Sequence, residues 1–138
     1  MRLLLGCLLA HALLADLAAW PWWVPNLTVV GLVLAVVRRP ERWVACSALA
    51  GLFATLCAVR VPGPIFVSYV VLGWTVRVIG TQWDTNEPRV RFLLVAAACL
   101  VTTLYAVWLD GLWSLAILGW IVVHTVVTTL LVPVIQRR

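Results

Sequence analysis

Four ionisable residues stand inside long apolar runs of the sequence, where a membrane protein can carry out chemistry. They are His11, Asp16, Arg77 and His124. A charge in hydrocarbon is costly, so such residues often belong to proton relays, ion paths or ligand sites. A relay would require His11, Asp16 and His124 to converge. His11 and Asp16, however, point about 140° apart on a helix of about 3.6 residues per turn, so the sequence does not assemble the relay.

Each of these side chains also has a structural explanation. Arg77 lies within about one turn of the end of its apolar run, from which a long side chain reaches the headgroups. Asp16 lies one turn before Trp20, where local water or a helix-terminal contact can satisfy its carboxylate. His11 and His124 fall near mid-depth, where a neutral imidazole makes one or two hydrogen bonds between helices. We therefore expect structural roles for all four.

Other patterns that indicate chemistry are missing from the sequence. The four cysteines stand singly in apolar runs, so their spacing favours neither a metal site nor a redox dithiol, and no cofactor is expected. No phosphate-binding glycine loop, serine-hydrolase motif or zinc-protease motif occurs. Asp84 and Glu87 are the one carboxylate pair outside the runs, and solvated loop charges beside Arg89 and Arg91 explain them. The sequence predicts a protein that is not an enzyme.

The elements that position these residues are almost wholly apolar. Hydrophobic residues make up 64% of the chain and charged residues 11%, with a mean hydropathy of +1.09, whereas a soluble domain has about 25% charged residues. A soluble core of 138 residues cannot bury that much apolar surface. We predict an all-α integral membrane protein, a six-transmembrane-helix bundle in one domain over residues 1–138. Its spans are expected at about 3–20, 24–37, 43–59, 65–80, 91–109 and 113–135.

Proline and glycine separate several of these runs. The Pro62-Gly63 pair, followed by Pro64, is expected to form a turn that does not continue a helix. The longest hydrophilic connection covers 81–89 and precedes the fifth run. The second run, 24–37, is the shortest and so the weakest candidate for a complete span.

The arginines predict the orientation of the chain. If the runs alternate in direction, nine of the ten arginines fall on one side and Arg60 alone on the other. The positive-inside rule then places both termini, the loop with Arg38, Arg39 and Arg42, and the 81–91 loop in the cytoplasm. No tryptophan enters this count, yet several gather at the outer interface: Trp20, Trp22, Trp23, Trp108 and Trp113.

The same arginines bear on possible partners. The net charge of +5 sits in connections between apolar runs, where membrane orientation explains it, so no nucleic-acid partner is expected. Arg38, Arg39 and Arg42 are expected to fix the depth of their loop and to attract anionic membrane lipids. A contact with acidic segments of a partner protein is the alternative for these three.

The third run carries small residues in two rows at four-residue spacing. The rows are Ser47, Gly51 and Thr55, and Ala50, Ala54 and Ala58. Small residues let helix backbones approach closely, and van der Waals contact then drives association in lipid. The pattern predicts a close helix–helix contact and implies no chemistry.

A series of short motifs links the second, third and fourth runs. Pro25-Asn26-Leu27 opens a helix and a short basic loop follows it. Next come a small-residue helix with Gly51-Leu52, the Pro62-Gly63 turn, and a helix with Tyr69 and Gly73. This order resembles the bacterial rod shape-determining protein MreD family, over about residues 20 to 80 by motif and elsewhere by length and hydropathy. Asn26 stands where the family often has aspartate, and Thr55 where its Gly-Leu-x-x-Asp motif places the acid.

The resemblance implies a non-enzymatic scaffold of the cell-wall elongation (rod shape) machinery, a multi-pass protein of the bacterial cytoplasmic (inner) membrane. Members of that family work with the single-span protein MreC, beside the actin-like MreB filament, the RodA glycosyltransferase and its penicillin-binding transpeptidase. For this chain the resemblance implies control of cell shape through binding of an MreC-like partner.

Two other classes of function stay open at this point. MreD-like proteins are similar in size and helix count to the six-helix vitamin-capturing subunits of energy-coupling-factor transporters. The substrate-binding membrane subunit of a small-solute or vitamin transporter is therefore the alternative. A membrane enzyme has only the presence of His11, Asp16 and His124 in its favour.

Overall fold

The computed structural model describes residues 1–17, 24–57, 62–85, 87–111 and 113–136, and all regular structure within these ranges is helical. The helices are α1 (Arg2–Leu17), α2 (Leu27–Arg38), α3 (Trp43–Cys57), α4 (Pro62–Gln82), α5 (Pro88–Asp110), α6 (Leu115–Leu130) and α7 (Val132–Gln136). A short 3-10 helix, Pro40–Arg42, joins α2 to α3. In the described part of the chain, three segments are long and apolar enough to cross a membrane: Gly63–Gln82, Pro88–Asp110 and Leu115–Ile135. The predicted all-helical, transmembrane character is confirmed at this level.

Two helices begin earlier than the sequence predicted, because proline fits the first turn of a helix. The N–H groups of that turn have no partner within the helix, so a residue without an N–H loses nothing there. α4 accordingly begins at Pro62 and α5 at Pro88, each three residues before its predicted span. The prediction that Pro62 and Gly63 form a turn outside the helix is wrong, since both belong to the first turn of α4.

The second apolar run forms a helix that begins later than 24. Asn26 caps it, with its Oδ1 accepting a hydrogen bond from the Val29 N–H at 3.2 Å, and Pro25 disfavours helical geometry at the preceding residue. The helix has 12 residues and measures about 18 Å, well short of a hydrocarbon core of about 30 Å.

The sixth run contains a break near its end. α6 ends at Leu130, and Leu131 turns before the short α7. Pro133 lies in α7 and has no N–H to donate to the carbonyl four residues earlier, which ends the regular helix ahead of it. The predicted span 113–135 therefore contains two helices, α6 and α7, although the segment Leu115–Ile135 as a whole is long and apolar enough to cross a membrane. Residues 18–20 of the first predicted span and 58–59 of the third lie outside the described residues, as do Trp20, Trp22, Trp23, Ala58 and Arg60.

α2 is the centre of the bundle. Every residue of α2 from Leu27 to Val36 is buried, and the helix contacts α1, α3, α4, α5 and α6. A helix that is apolar on all sides must be surrounded by other helices. At Gly31 a Cβ would lie 2.7 Å from the Cβ of Cys7, so α1 approaches α2 at backbone distance.

Candidate functional site

The small-residue face of α3 packs against α4. Ser47 is fully buried, and a Cβ on Gly73 of α4 would overlap its hydroxyl group. A Cβ on Gly51 would lie 3.0 Å from Cδ2 of Phe66 and 3.3 Å from the Phe66 carbonyl oxygen. The Ser47 hydroxyl donates to the Trp43 carbonyl at 2.7 Å, which satisfies it inside its own helix. These contacts make α3 and α4 a closely packed pair.

The remaining small residues of α3 have different surroundings. Ala50 is fully buried in the core. Thr55 is half-buried, and Ala54 lines a cavity near the end of α3. Ala58 lies outside the described residues.

Asn26 has a structural role at the start of α2. Besides capping Val29 through its side chain, Asn26 donates its backbone N–H to Oγ1 of Thr128 in α6 at 3.1 Å. Asparagine and aspartate are about equally good helix caps. An aspartate at position 26 would therefore cap α2 about as well and would add one negative charge.

His11 and His124 hold the segment that precedes α2. Nδ1 of His11 lies 3.2 Å from the Pro25 carbonyl oxygen, and Nε2 of His124 lies 2.9 Å from the Val24 carbonyl oxygen. A carbonyl oxygen only accepts, so each of these ring nitrogens carries the proton. In the neutral rings the other nitrogens are acceptors, and Nδ1 of His124 lies 3.9 Å from Sγ of Cys99.

Both histidines line one cavity, here called the aromatic cavity, of about 400 Å³. It lies where α1, α3 and α5 end and where α2, α4 and α6 begin. Its rings come from five helices: His11, Phe53, Tyr69, Tyr105, Trp120 and His124. The shortness of α2 explains the cavity, because this helix fills only part of the bundle's height and leaves Asn26 and Thr28 at the cavity wall.

Asp16 and Arg77 are separate from the aromatic cavity. Asp16 is exposed on α1 and is not among the described residues that line the cavity. Arg77 is exposed near the end of α4, with its guanidinium carbon 5.7 Å from the ring centroid of Trp43. The structure thus brings His11 and His124 together without Asp16.

A second concavity, here called the α4/α5 groove, runs between α4 and α5. α4 packs mainly on α3 and α5 mainly on α6, so these two consecutive helices contact each other little. The space between them measures about 390 Å³ and is lined almost wholly by apolar atoms. Its wall includes Val67, Val71, Thr75, Ala97, Val101 and Thr102.

A third concavity, here called the arginine cleft, lies at the opposite end of the bundle from the aromatic cavity. Arg2, Arg38, Arg39 and Arg42 line it together with Met1, Leu3 and Ala35, around about 520 Å³. The start of α1 and the end of α2 meet there. The three loop arginines that the sequence singled out therefore share one basic surface with Arg2.

Sequence reasoning missed most of the aromatic cavity and the whole α4/α5 groove. The sequence did contain one signal for the cavity. If successive helices alternate in direction, the helix halves that contain four of its aromatic residues lie at the same end of the bundle. These residues are Phe53, Tyr69, Tyr105 and Trp120. No corresponding pattern marks the groove, because its residues are ordinary lipid-compatible side chains.

The described residues place no group of three or more His, Cys, Asp or Glu side chains where they could hold a metal ion. Comparison with protein-family profiles, with curated proteins and with solved structures found no match to this chain.

Proposed function

We propose that this chain is a non-enzymatic scaffold of the bacterial cell-wall elongation machinery, which regulates cell shape by holding an MreC-like single-span partner. The observation that carries the proposal is the α4/α5 groove. The motif order over residues 20 to 80 supplies the family resemblance. The MreB filament, RodA and its penicillin-binding transpeptidase are the further partners that this resemblance implies.

The groove has dimensions and lining that suit one more helix. From Val67 to Ile79 its α4 wall rises about 18 Å, which is more than three helical turns. Ala97 and Ala98 on the α5 wall leave room for close approach of a backbone, which is how helices associate in lipid. The matching partner is a transmembrane helix with small residues along one face.

The hydroxyl groups of Ser68 and Thr75 in the groove can accept hydrogen bonds from such a helix. Ser68 donates to the Ile65 carbonyl at 2.7 Å, and Thr75 donates to the Val71 carbonyl at 2.9 Å. Their hydrogens are thus satisfied within α4, while the oxygens can still accept a hydrogen bond from a partner helix. These two hydroxyl groups therefore present no unsatisfied donor to lipid when the groove is empty.

The proposal includes six spans, both termini in the cytoplasm and location in the inner membrane. The arginine cleft supports this orientation, since Arg2, Arg38, Arg39 and Arg42 share one end of the bundle and basic residues favour the cytoplasmic side. The aromatic cavity then lies toward the outer surface.

Affinity purification from native bacterial membranes tests the scaffold role. Val101 in the groove and Val122 on α6 are 59% and 58% exposed, so tryptophan at each position forms a matched pair. We expect Val101→Trp to lose its single-span partner and to produce rounded cells, while Val122→Trp keeps both partner and rod shape. Equal recovery of the partner with both variants would contradict the groove as the docking site.

A second candidate function, the substrate-binding membrane subunit of a solute transporter, is favoured by the aromatic cavity. Cell shape and solute uptake separate the two candidates. A scaffold loses rod shape when the groove is filled, whereas a transporter subunit loses uptake when the cavity is filled.

A further inference from the structure

The aromatic cavity has the volume and the lining of a small-molecule binding site. Its volume of about 400 Å³ lies within the range of about 300–1,000 Å³ that is common for ligand pockets. Apolar surface dominates its wall, with a smaller number of polar groups that converge from different helices. This combination is typical of specific ligand sites.

The rings of the wall favour a planar ligand. Trp120 and His124 are stacked, with centroids 4.9 Å apart and planes inclined by 28°. His11 meets Phe53 edge to face, with centroids 5.9 Å apart. These contacts hold the rings in place before a ligand arrives, and fixed rings stack on another flat ring at little cost in entropy.

The polar groups favour a ligand with hydrogen-bond donors. Nε2 of neutral His11 is a hydrogen-bond acceptor, because the proton of the ring is on Nδ1, which donates to the Pro25 carbonyl oxygen. The Thr102 and Thr103 hydroxyls donate to carbonyls of their own helix, at Ala98 and Cys99, and offer lone pairs to a ligand. Asn26 also lies at this wall, with its Oδ1 already accepting from the Val29 N–H.

The described lining of the cavity favours an uncharged ligand. No carboxylate, guanidinium or ammonium group is present among the described residues that line the cavity. A charged ligand would lose its hydration there without a counter-ion, which is costly. A lipid chain is disfavoured as well, since it offers no donor to the Nε2 acceptor of His11.

We propose that the aromatic cavity binds a planar, uncharged nitrogen heterocycle of two or three fused rings. The proposal specifies the class of ligand for the second candidate function, the transporter subunit. It rests on that function only in that both are argued from the aromatic cavity. A bound heterocycle is also compatible with a scaffold. The ligand site and the partner site adjoin, and Ser68, Thr102 and Tyr105 line both. Ala106 lines only the cavity and Ala97 only the groove, so a variant at either position fills one space without filling the other.

A native cysteine, Cys57, can report whether the aromatic cavity is occupied. Cys57 lines the cavity and is exposed, whereas Cys7, Cys46 and Cys99 are buried. Labelling of the purified full chain with a maleimide therefore reports mainly on Cys57. A ligand in the cavity should slow this labelling.

Two alanines of α5 give a matched pair of variants. Ala106 lines the aromatic cavity and Ala97 lines the α4/α5 groove, and both are exposed. Ala106→Trp fills the first space and Ala97→Trp the second. The probes are adenine and lumichrome, which are planar and uncharged, with anionic flavin mononucleotide and palmitate as comparisons.

We expect adenine or lumichrome to slow Cys57 labelling saturably in the wild type and in Ala97→Trp, with binding at least about tenfold weaker in Ala106→Trp. Flavin mononucleotide and palmitate should protect at least about tenfold less well. No protection by either uncharged probe at about 1 mM, or equal protection by palmitate, would overturn the proposal. The scaffold proposal would fail in a different way. Ala97→Trp, which fills the α4/α5 groove, would then still recover the single-span partner, and the protection of Cys57 by the probes would be unchanged.

Discussion

His11 of α1 and His124 of α6 bind adjacent backbone carbonyls, those of Pro25 and Val24, at 3.2 and 2.9 Å. The two imidazoles thereby fix the residues that lead into α2, the central helix of the bundle. Asn26 continues this set of contacts, since its N–H binds Thr128 of α6 at 3.1 Å. The first and sixth helices together determine where the second one begins.

This geometry makes His124 a structural donor. Glutamine at position 124 offers an N–H to the Val24 carbonyl, so His124→Gln should retain folding and partner binding. His124→Leu removes the donor and should cost about 0.6–2 kcal/mol of bundle stability. Thermal unfolding in detergent measures the difference. A well-inserted His124→Gln protein without any cell-shape activity would favour a proton relay instead.

The α3–α4 contact should not accept a larger side chain at Gly51. A Cβ there already lies 3.0 Å from Phe66, so Gly51→Leu should destabilise the bundle by about 1–3 kcal/mol. Gly119→Leu is the control, because a Cβ at Gly119 has no described atom within 4 Å. Thermal unfolding of the two variants should differ clearly. Equal unfolding temperatures would show that α3 and α4 separate without cost.

The orientation can be tested with introduced cysteines in a Cys57→Ser background. Arg38, Gly63, Asp84 and Asp110 are all exposed positions. With an impermeant thiol reagent outside intact cells, cysteines at Gly63 and Asp110 should react, and those at Arg38 and Asp84 should react only after lysis. Reaction at Asp84 in intact cells is the outcome that the proposed orientation does not allow.

The three loop arginines should be replaceable by lysine. Attraction to anionic lipid depends on charge and is worth about 1 kcal/mol per residue near the surface. A bidentate contact with a partner carboxylate would require the planar guanidinium. The triple variant Arg38→Lys, Arg39→Lys, Arg42→Lys should therefore insert normally and co-purify with its partner. Loss of the partner despite normal insertion would assign these arginines to protein recognition.

Hydropathy was sufficient to predict the helical class and the approximate positions of the helices. It could not predict the helix starts at Pro62 and Pro88, because proline both ends helices and fits their first turn. Nor could it predict the break at Leu131, since the residues around Pro133 stay apolar. In both cases local backbone geometry decides, and hydropathy does not encode it.

The candidate sites were harder to predict for a physical reason. His11 and His124 were recognised as polar residues at mid-depth, yet their meeting at adjacent carbonyls depends on how α1 and α6 pack around α2. The α4/α5 groove arises because α4 packs on α3 and α5 on α6. Such pairing of helices depends on the packing of the whole bundle, and the type of any single residue does not predict it.

Photo-crosslinking in native membranes tests the scaffold claim most directly. A photoreactive amino acid is placed at Val71 or Val101 in the groove, and at Val122 or Val126 on α6, all of which are at least half exposed. Both groove positions should crosslink to the same MreC-like single-span protein, identified by mass spectrometry, and the two α6 positions should not. Crosslinks from the groove to lipid alone, or the same protein captured equally from α6, would contradict the account.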